Sequence, residues 1–277
     1  TSMRCGARTP TTSTGSRPST SEPPHTGAGL RLQRLRLAPD DDHEVCGGGL
    51  VVDALDGPVL VVELALQPRE GFRHRFVGTV VGPDDRGAVL GVVCLAAADR
   101  RHDGIHAQGL WALYNRFVDT HRVSVVAPDR ERSAIGHAIT LNQPLRAIRV
   151  FLNGGYSGYS VNGTPADCIK LAIAEILPAR PDVVVAGINP GANVGANLNY
   201  SGTVAAAKEA ALGGAIGISV SIEGQNDNYY DDAALFVTHL CDTVHAKGLP
   251  FGTFLNVNIP NRPLKEIAGV RISRQGV

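Results

Sequence analysis

The residues of this chain best suited to bind a ligand are four asparagines and a Ser-Gly-Thr step that lie between Val183 and Ala211: Asn189, Asn193, Asn197, Asn199 and Ser201-Gly202-Thr203. An asparagine amide donates hydrogen bonds to phosphate oxygens, and its carbonyl oxygen binds hard cations. The Ser-Gly-Thr step opens a predicted helix, whose N-terminus attracts anions. The segment therefore predicts a phosphate site. Glycine and asparagine also fill loops that bind nothing, so composition alone leaves that interpretation open.

Further polar residues follow the predicted strands at their carboxyl ends: His102 and Asp103, Asp129 and Ser133, and Asn189 and Asn193. The carboxyl ends of parallel strands share one edge of a sheet, and ligands bind there. A carboxylate, a hydroxyl and an amide oxygen at this edge are the ligands that Mg²⁺ and Mn²⁺ prefer. The sequence therefore predicts a divalent cation beside the phosphate. A lone histidine is more often structural than catalytic, so His106 and His137 are left out of the catalytic set.

The elements that must position these residues alternate along the chain. Hydrophobic periodicity predicts strands over Ala88–Ala98, Val123–Ala127, Val183–Ala186, Ile216–Ser221 and Phe254–Ile259. It predicts helices over Gln108–Asp119, from the Thr164 cap to Leu177, over Thr203–Leu212 and over Asp231–Lys247. Short alternating runs at Ala138–Leu141, Leu145–Phe151 and Tyr159–Val161 indicate a β-hairpin excursion. We therefore expect an α/β fold, a three-layer α/β/α sandwich with a Rossmann-like, mostly parallel sheet.

Composition excludes several classes of protein. The 26 basic and 26 acidic residues cancel, so no overall field favours nucleic acid. No apolar run reaches the length of a membrane span. The five cysteines are scattered, without a CxxC pair, which argues against a disulfide framework or a zinc knuckle. We expect no nucleic-acid partner, no membrane partner and a cytoplasmic location.

The chain divides into three segments by composition. Residues 1–30 are rich in Ser, Pro and Thr and are predicted to be disordered. Residues 31–90 show no settled period and are left without a fold. No lysine occurs before Lys170, while arginine is abundant. A GC-rich region read in the wrong frame would produce this pattern, and so would a genuine arginine-rich extension. Residues 91–277 contain the regular alternation and form the expected domain.

Six ordered motifs of this domain closely resemble the SurE stationary-phase survival proteins: DGIHA (Asp103–Ala107), VVAPDRERSAIGHAITL (Val125–Leu141), VNGTPADCIKLA (Val161–Ala172), AGINPGANVG (Ala186–Gly195), YSGTVAAAKEA (Tyr200–Ala210) and LNVNIP (Leu255–Pro260). The resemblance covers about residue 92 to the end. It implies a metal-dependent phosphomonoesterase that hydrolyses nucleoside 5′- and 3′-monophosphates, with one divalent cation, Mg²⁺ or Mn²⁺, per subunit.

The resemblance also implies a role for individual residues. The metal ligands would be His102, Asp103, Ser133 and Asn189, of which Asp103 and Asn189 are the expected catalytic residues. Substrate phosphate would be bound by Asn193, Ser201, Gly202 and Thr203. The family's N-D-D-G motif reads Arg101-His102-Asp103-Gly104 here, so a histidine stands where the first aspartate is expected.

Two other functions are weighed against this one. A Rossmann-type oxidoreductase requires a GxGxxG fingerprint after a strand, and the chain lacks it at the predicted site. A catalytically impaired nucleotide- or phosphate-binding relative is the stronger alternative, because the altered motif removes one negative ligand. The family forms homodimers or tetramers and continues beyond the segment matched at Arg274. We therefore expect a truncated domain with weakened self-association.

Overall fold

The computed structural model describes residues 59–66, 90–91, 104–151, 155, 157–224 and 228–274, with the backbone alone for 59–66, 90–91 and Arg274. The strands are β1 (Val59–Leu66), β2 (Leu90–Gly91), β3 (Val126–Pro128), β4 (Ala147–Phe151), β5 (Ser157–Val161), β6 (Val183–Pro190), β7 (Ile216–Ile222), β8 (Thr253–Ile259) and β9 (Gly269–Arg274). The helices are α1 (Gln108–Phe117), α2 (Pro165–Leu171) with a π-helical continuation (Ala172–Ile176), α3 (Gly202–Leu212) and α4 (Tyr230–Lys247). None of the described helices is long and apolar enough to cross a bilayer.

The larger sheet has six described strands in the order β2-β6-β7-β8-β1-β9. Strands β2, β6, β7 and β8 are parallel, whereas β1 runs antiparallel to β8 and parallel to β9. The sheet is therefore mostly parallel, as predicted. The carboxyl ends of β6, β7 and β8 lie together at one edge.

Helices cover both faces of this sheet. Helices α1 and α4 contact each other and β6, while α2 and α3 contact each other and α3 contacts β6 and β7. Strand β6 shows why its sequence is a continuous apolar run: Val183 and Val185 join one hydrophobic cluster, whereas Val184 and Ala186 join the other. A strand covered on both faces has no solvent side, so it shows no alternation. The predicted three-layer α/β/α sandwich is confirmed.

Helix α3 approaches the sheet closely because its inner face is made of alanines. A Cβ atom at Gly217 in β7 would clash with the carbonyl oxygen of Ala207 in α3. Ala206, Ala207 and Ala210 are fully buried at this contact. The small side chains let α3 rest directly on β6 and β7, which fixes its N-terminus at the carboxyl edge of the sheet.

Most predicted boundaries agree with the structure to within a few residues. Three other features differ from the prediction. The run Ala138–Leu141 is irregular, and the hairpin consists of β4 and β5 alone. Strand β3 was expected in the main parallel sheet but pairs with β5, in a separate sheet of order β3-β5-β4. The segment left without a fold supplies β1, which lies between β8 and β9. Of the predicted strand Ala88–Ala98, only Leu90 and Gly91 lie within the described residues.

Candidate functional site

A cleft of about 460 Å³ lies at the carboxyl end of β6, between α3 and the segment that follows β3. Its described lining residues are Pro128, Glu131, Arg132, Ser133, Ala134, Pro165, Asn189, Pro190, Gly191, Ala192, Asn193, Asn197, Tyr200, Ser201, Gly202 and Thr203. Six of the predicted site residues are in this set: Ser133, Asn189, Asn193, Ser201, Gly202 and Thr203. Among the described residues, no predicted site residue lines the second cavity, of about 490 Å³, which lies beyond β7 and β8.

Asn189 lines this cleft and has an unpaired side-chain oxygen. It lies at the end of β6 just after a bulge, since the register with β7 shifts between Ala186 and Asn189. A bulge re-aims the side chain that follows it. The Asn189 Nδ2 group donates to the carbonyl oxygen of Gly191 at 2.6 Å, which fixes the amide orientation. Its Oδ1 atom is buried and has no hydrogen-bond partner. A buried carbonyl oxygen without a partner fits a cation ligand.

Ser133 lies across the cleft on the segment that follows β3. Its side chain is exposed, and its hydroxyl donates to the Glu131 Oε1 atom at 2.6 Å. A hydroxyl that donates its proton to a carboxylate still has lone pairs with which to bind a cation. Ser133 and Asn189 therefore offer two neutral oxygen ligands to one cleft.

Two buried carboxylates, one in α2 and one in α3, form hydrogen bonds with the segment that follows Ser133. In α2, Asp167 accepts from the Thr140 backbone N–H at 3.0 Å and from the Thr140 hydroxyl at 2.6 Å. In α3, Glu209 contacts His137 Nε2 at 2.7 Å and accepts from Lys170 Nζ at 3.0 Å. The segment after Ser133 is therefore held at two positions, His137 and Thr140. These contacts connect the segment to α2 and α3, whose N-termini reach the cleft.

The pKa values of both anchoring carboxylates are lowered. Burial acts to raise the pKa of Asp167, but hydrogen bonds from Thr140 and Thr164 outweigh it. The hydrogen bond to His137 is the main cause of the lowered pKa of Glu209, opposed by burial and assisted by Lys170. Both groups are therefore ionised at neutral pH and act as fixed acceptors.

Asp129 directly follows β3, and its carboxylate already has hydrogen-bond partners. Arg130 donates to it twice, at 3.0 and 2.7 Å, and Arg132 contacts it at 3.5 Å. The hydrogen bond from Arg130 is the main cause of the lowered pKa of Asp129. This carboxylate is neutralised by arginines, which makes it a poor cation ligand. Arg132 itself lines the cleft, and its Nε atom is buried without a hydrogen-bond partner.

The N-terminus of α3 forms another wall of the cleft. The Ser201 hydroxyl accepts from the Val204 N–H at 3.3 Å and so caps the helix. The N–H groups of Gly202 and Thr203 belong to the first turn, where no intrahelical acceptor exists. A Cβ atom at Gly202 would come within 2.8 Å of the Pro165 ring at the start of α2. Glycine is required there because the two helix N-termini meet.

Asn193 has a supporting position at the base of the cleft. Its Nδ2 group donates to the Ser221 hydroxyl at 2.7 Å, and its backbone N–H donates to Asn258 Oδ1 at 2.8 Å. Its backbone oxygen accepts from Asn256 and Asn258, each at 2.9 Å. One side-chain N–H is thus committed to the protein. These bonds fix the loop between β6 and α3 to β7 and β8, and the predicted phosphate contact of Asn193 stays a prediction.

The predicted ligands His102 and Asp103 lie outside the described residues, as does Arg101. The adjacent Gly104 is described, with a φ of +57°, and a Cβ atom there would clash with the carbonyl oxygen of Pro128. Pro128 lines the cleft, so Gly104 lies next to a residue of the cleft wall. Among the described residues no group of three or more His, Cys, Asp or Glu side chains could hold a metal ion. The neutral oxygen donors of Ser133 and Asn189, with the carboxylate of Glu131, are described cleft groups of the kind that bind cations.

Sequence reasoning missed two charged residues of the cleft, Glu131 and Arg132. Both lie inside the motif that supplied Ser133, so their proximity to it in the chain was the available signal. Their side-chain directions depend on the irregular turn after β3, which hydrophobic periodicity does not describe.

The two described cysteines are not part of the site. Cys168 and Cys241 are free thiols buried in the hydrophobic clusters. Burial is the main cause of the strongly raised pKa of each thiol, so both stay protonated. Since the thiolate is the nucleophile, Cys168 is a packing residue.

Known proteins of one family are similar to this chain. The family described as "Survival protein SurE" matches residues 101–277. A protein of Desulfatibacillum aliphaticivorans named "5'-nucleotidase SurE" is 58% identical over 175 residues, which are 63% of this chain and 69% of that protein. A protein of the same name from Syntrophobacter fumaroxidans is 48% identical over 174 residues, covering 63% and 70%. The crystal structure of the SurE protein from Aquifex aeolicus superposes with a TM-score of 0.60 at 34% identity, covering 68% of this chain and 72% of that one. The chain therefore belongs to the SurE family.

Proposed function

We propose that this protein is a nucleotidase that hydrolyses nucleoside 5′-monophosphates, and also 3′-monophosphates, with one divalent cation, Mg²⁺ or Mn²⁺. The observation that carries the proposal is the buried, unpaired Asn189 Oδ1 atom in the same cleft as Ser133 and the N-terminus of α3. It supports a cation site beside an anion site. Relatives that are 58% and 48% identical over the same region are named 5'-nucleotidase SurE, which supports the substrate class.

The cation would be held by Ser133 Oγ and Asn189 Oδ1, together with Asp103 and His102. The donor set fits, because both described atoms are neutral oxygens and Asn189 Oδ1 has no other partner. When bound, such a cation polarises the phosphoryl group and activates water for attack on phosphorus. Asp103 and Asn189 are the proposed catalytic residues because they would touch the cation beside the reacting atoms.

The phosphoryl group would be bound by the first turn of α3. The N–H groups of Gly202 and Thr203 point out of the helix end, where the helix dipole also favours an anion. Ser201 holds that turn in shape through its bond to the Val204 N–H. The Arg132 guanidinium, with its unpaired Nε atom, adds positive charge to the cleft. These donors would stabilise the charge on the equatorial oxygens during in-line displacement.

The proposed function is tested by measuring phosphate release from 5′-AMP and 3′-AMP in the presence of Mn²⁺. We expect metal-dependent turnover by the full chain and a loss of at least 10- to 100-fold in Asn189→Ala, the range seen when support for a metal ligand is removed. The matched control is Asn115→Ala, since Asn115 is exposed on α1 and outside the cleft. No release by the wild-type chain, or equal activity in Asn189→Ala, would contradict the proposal.

We also propose self-association as a homodimer or tetramer, and a cytoplasmic location. Three exposed apolar side chains on or near the hairpin support the first: Leu141, Ile148 and Phe151 are 85%, 64% and 75% exposed. Large apolar side chains with this much exposure are typical of residues that contact a partner. The two described cysteines, Cys168 and Cys241, are free and support the second, because unpaired thiols are usual in reducing compartments.

A further inference from the structure

Glu131 has a specific contact with the proposed cation ligand Ser133. The Ser133 hydroxyl donates to Glu131 Oε1 at 2.6 Å, the short distance typical of a hydrogen bond to an ionised acceptor. Both residues line the cleft, and among its described lining residues Glu131 is the only carboxylate. Its neighbour Asp129 is engaged by arginines, whereas Glu131 makes no ion pair within the described residues.

The direction of the Ser133 proton decides whether this serine can bind a cation. A neutral hydroxyl has one proton and two lone pairs, and only the lone pairs can bind a cation. An acceptor on the side away from the cation fixes the proton there. A negatively charged acceptor also makes the oxygen more basic, as carboxylates do for ligands of protein-bound metals.

We propose that Glu131 is the positioning residue for Ser133: its carboxylate accepts the hydroxyl proton, so that the Ser133 lone pairs point to the cation. This inference rests on the proposed function, because it requires a cation between Ser133 and Asn189. It adds a residue that acts through Ser133 and does not itself bind the cation. The hydrogen bond, more than the charge, is what positions the serine.

The experiment is a calorimetric titration of the full 277-residue chain with Mn²⁺ in the absence of substrate. We expect Glu131→Ala to weaken Mn²⁺ binding about 10-fold. Glu131→Gln keeps an acceptor oxygen and should weaken Mn²⁺ binding by less than about 5-fold. In a Ser133→Ala background, Glu131→Ala should have no further effect. The matched control is Glu175→Ala, which removes an exposed glutamate outside the cleft and should leave Mn²⁺ affinity unchanged.

Each outcome supports or contradicts the role of Glu131. Rescue by glutamine together with loss of the effect in the Ser133→Ala background supports it. Equal weakening by Gln and Ala, or an undiminished effect without Ser133, shows that the charge acts independently and overturns it. Unchanged affinity in Glu131→Ala also overturns it while leaving the proposed function intact. A wild-type chain that binds no Mn²⁺ contradicts the proposed function and the role of Glu131 with it.

Discussion

The substitution Asp167→Asn should destabilise the protein by about 2 kcal/mol, because Asp167 holds the segment that carries Ser133. Asp167 is 1% exposed and accepts hydrogen bonds from Thr140 N–H, Thr140 Oγ and Thr164 N–H, at 3.0, 2.6 and 2.8 Å. A hydrogen bond to a charged group contributes about 1.5–3 kcal/mol. Asparagine keeps one acceptor oxygen but turns an N–H₂ group toward these donors, so at least one bond is lost. Alanine removes all three and should cost about 4 kcal/mol or more.

Urea unfolding followed by Trp111 fluorescence measures this difference, since the chain has a single tryptophan and it packs against the larger hydrophobic cluster. Hydrogen bonds lower the pKa of Asp167 below its ordinary 3.8, so its stabilisation is present above that pH and is lost as the pH falls below it. The difference in free energy of unfolding between wild type and Asp167→Asn should therefore decrease as the pH falls below 3.8. Asp119→Asn, at an exposed position, is the control. A free energy of unfolding within about 0.5 kcal/mol of wild type at pH 7 would refute this account of the anchor.

Three further predictions concern the second anchor and the cation. Glu209→Gln should lower Tm at pH 7. The difference in Tm from wild type should shrink below pH 4.5, because hydrogen bonds from His137 and Lys170 lower the Glu209 pKa. Thermal melts at both pH values test this, and a difference in Tm that stays constant with pH would contradict it. After chelation, activity should return better with Mn²⁺ than with Mg²⁺ if the His102 imidazole is a ligand, and equal rescue would exclude that role. The double change Arg101→Asn with His102→Asp should raise metal-dependent turnover about 10-fold or more, whereas an unchanged rate would show that the wild-type motif is not impaired.

Position along the chain correctly predicted that Asn189 and Ser201 lie near each other, since both line the same cleft. Their ligand-binding roles stay predictions. Asn189 lies at the carboxyl end of β6 and Ser201 immediately precedes α3, so a parallel sheet places them at the same edge. The Ser201 cap and the buried run of β6 were also predictable, because they depend on local chemistry and on periodicity.

Predictions from the sequence were wrong where hydrogen bonds to distant residues determine the local backbone structure. Ala138–Leu141 alternates like a strand, yet Thr140 bonds to Asp167 and the Ala138 carbonyl accepts from the Thr164 hydroxyl at 2.7 Å. These partners are 27 and 26 residues away. The bulge before Asn189 and the contact between Ser133 and Glu131 likewise depend on backbone turns that side-chain periodicity does not encode.

The most direct test of the central claim is the anomalous scattering of Mn²⁺ in crystals of the chain soaked with Mn²⁺ and inorganic phosphate. The account predicts one strong peak within about 2.5 Å of Asn189 Oδ1 and Ser133 Oγ. It also predicts phosphate density at the N–H groups of Gly202 and Thr203. A Mn²⁺ peak outside this cleft, with Asn189 Oδ1 unbound, would contradict the account.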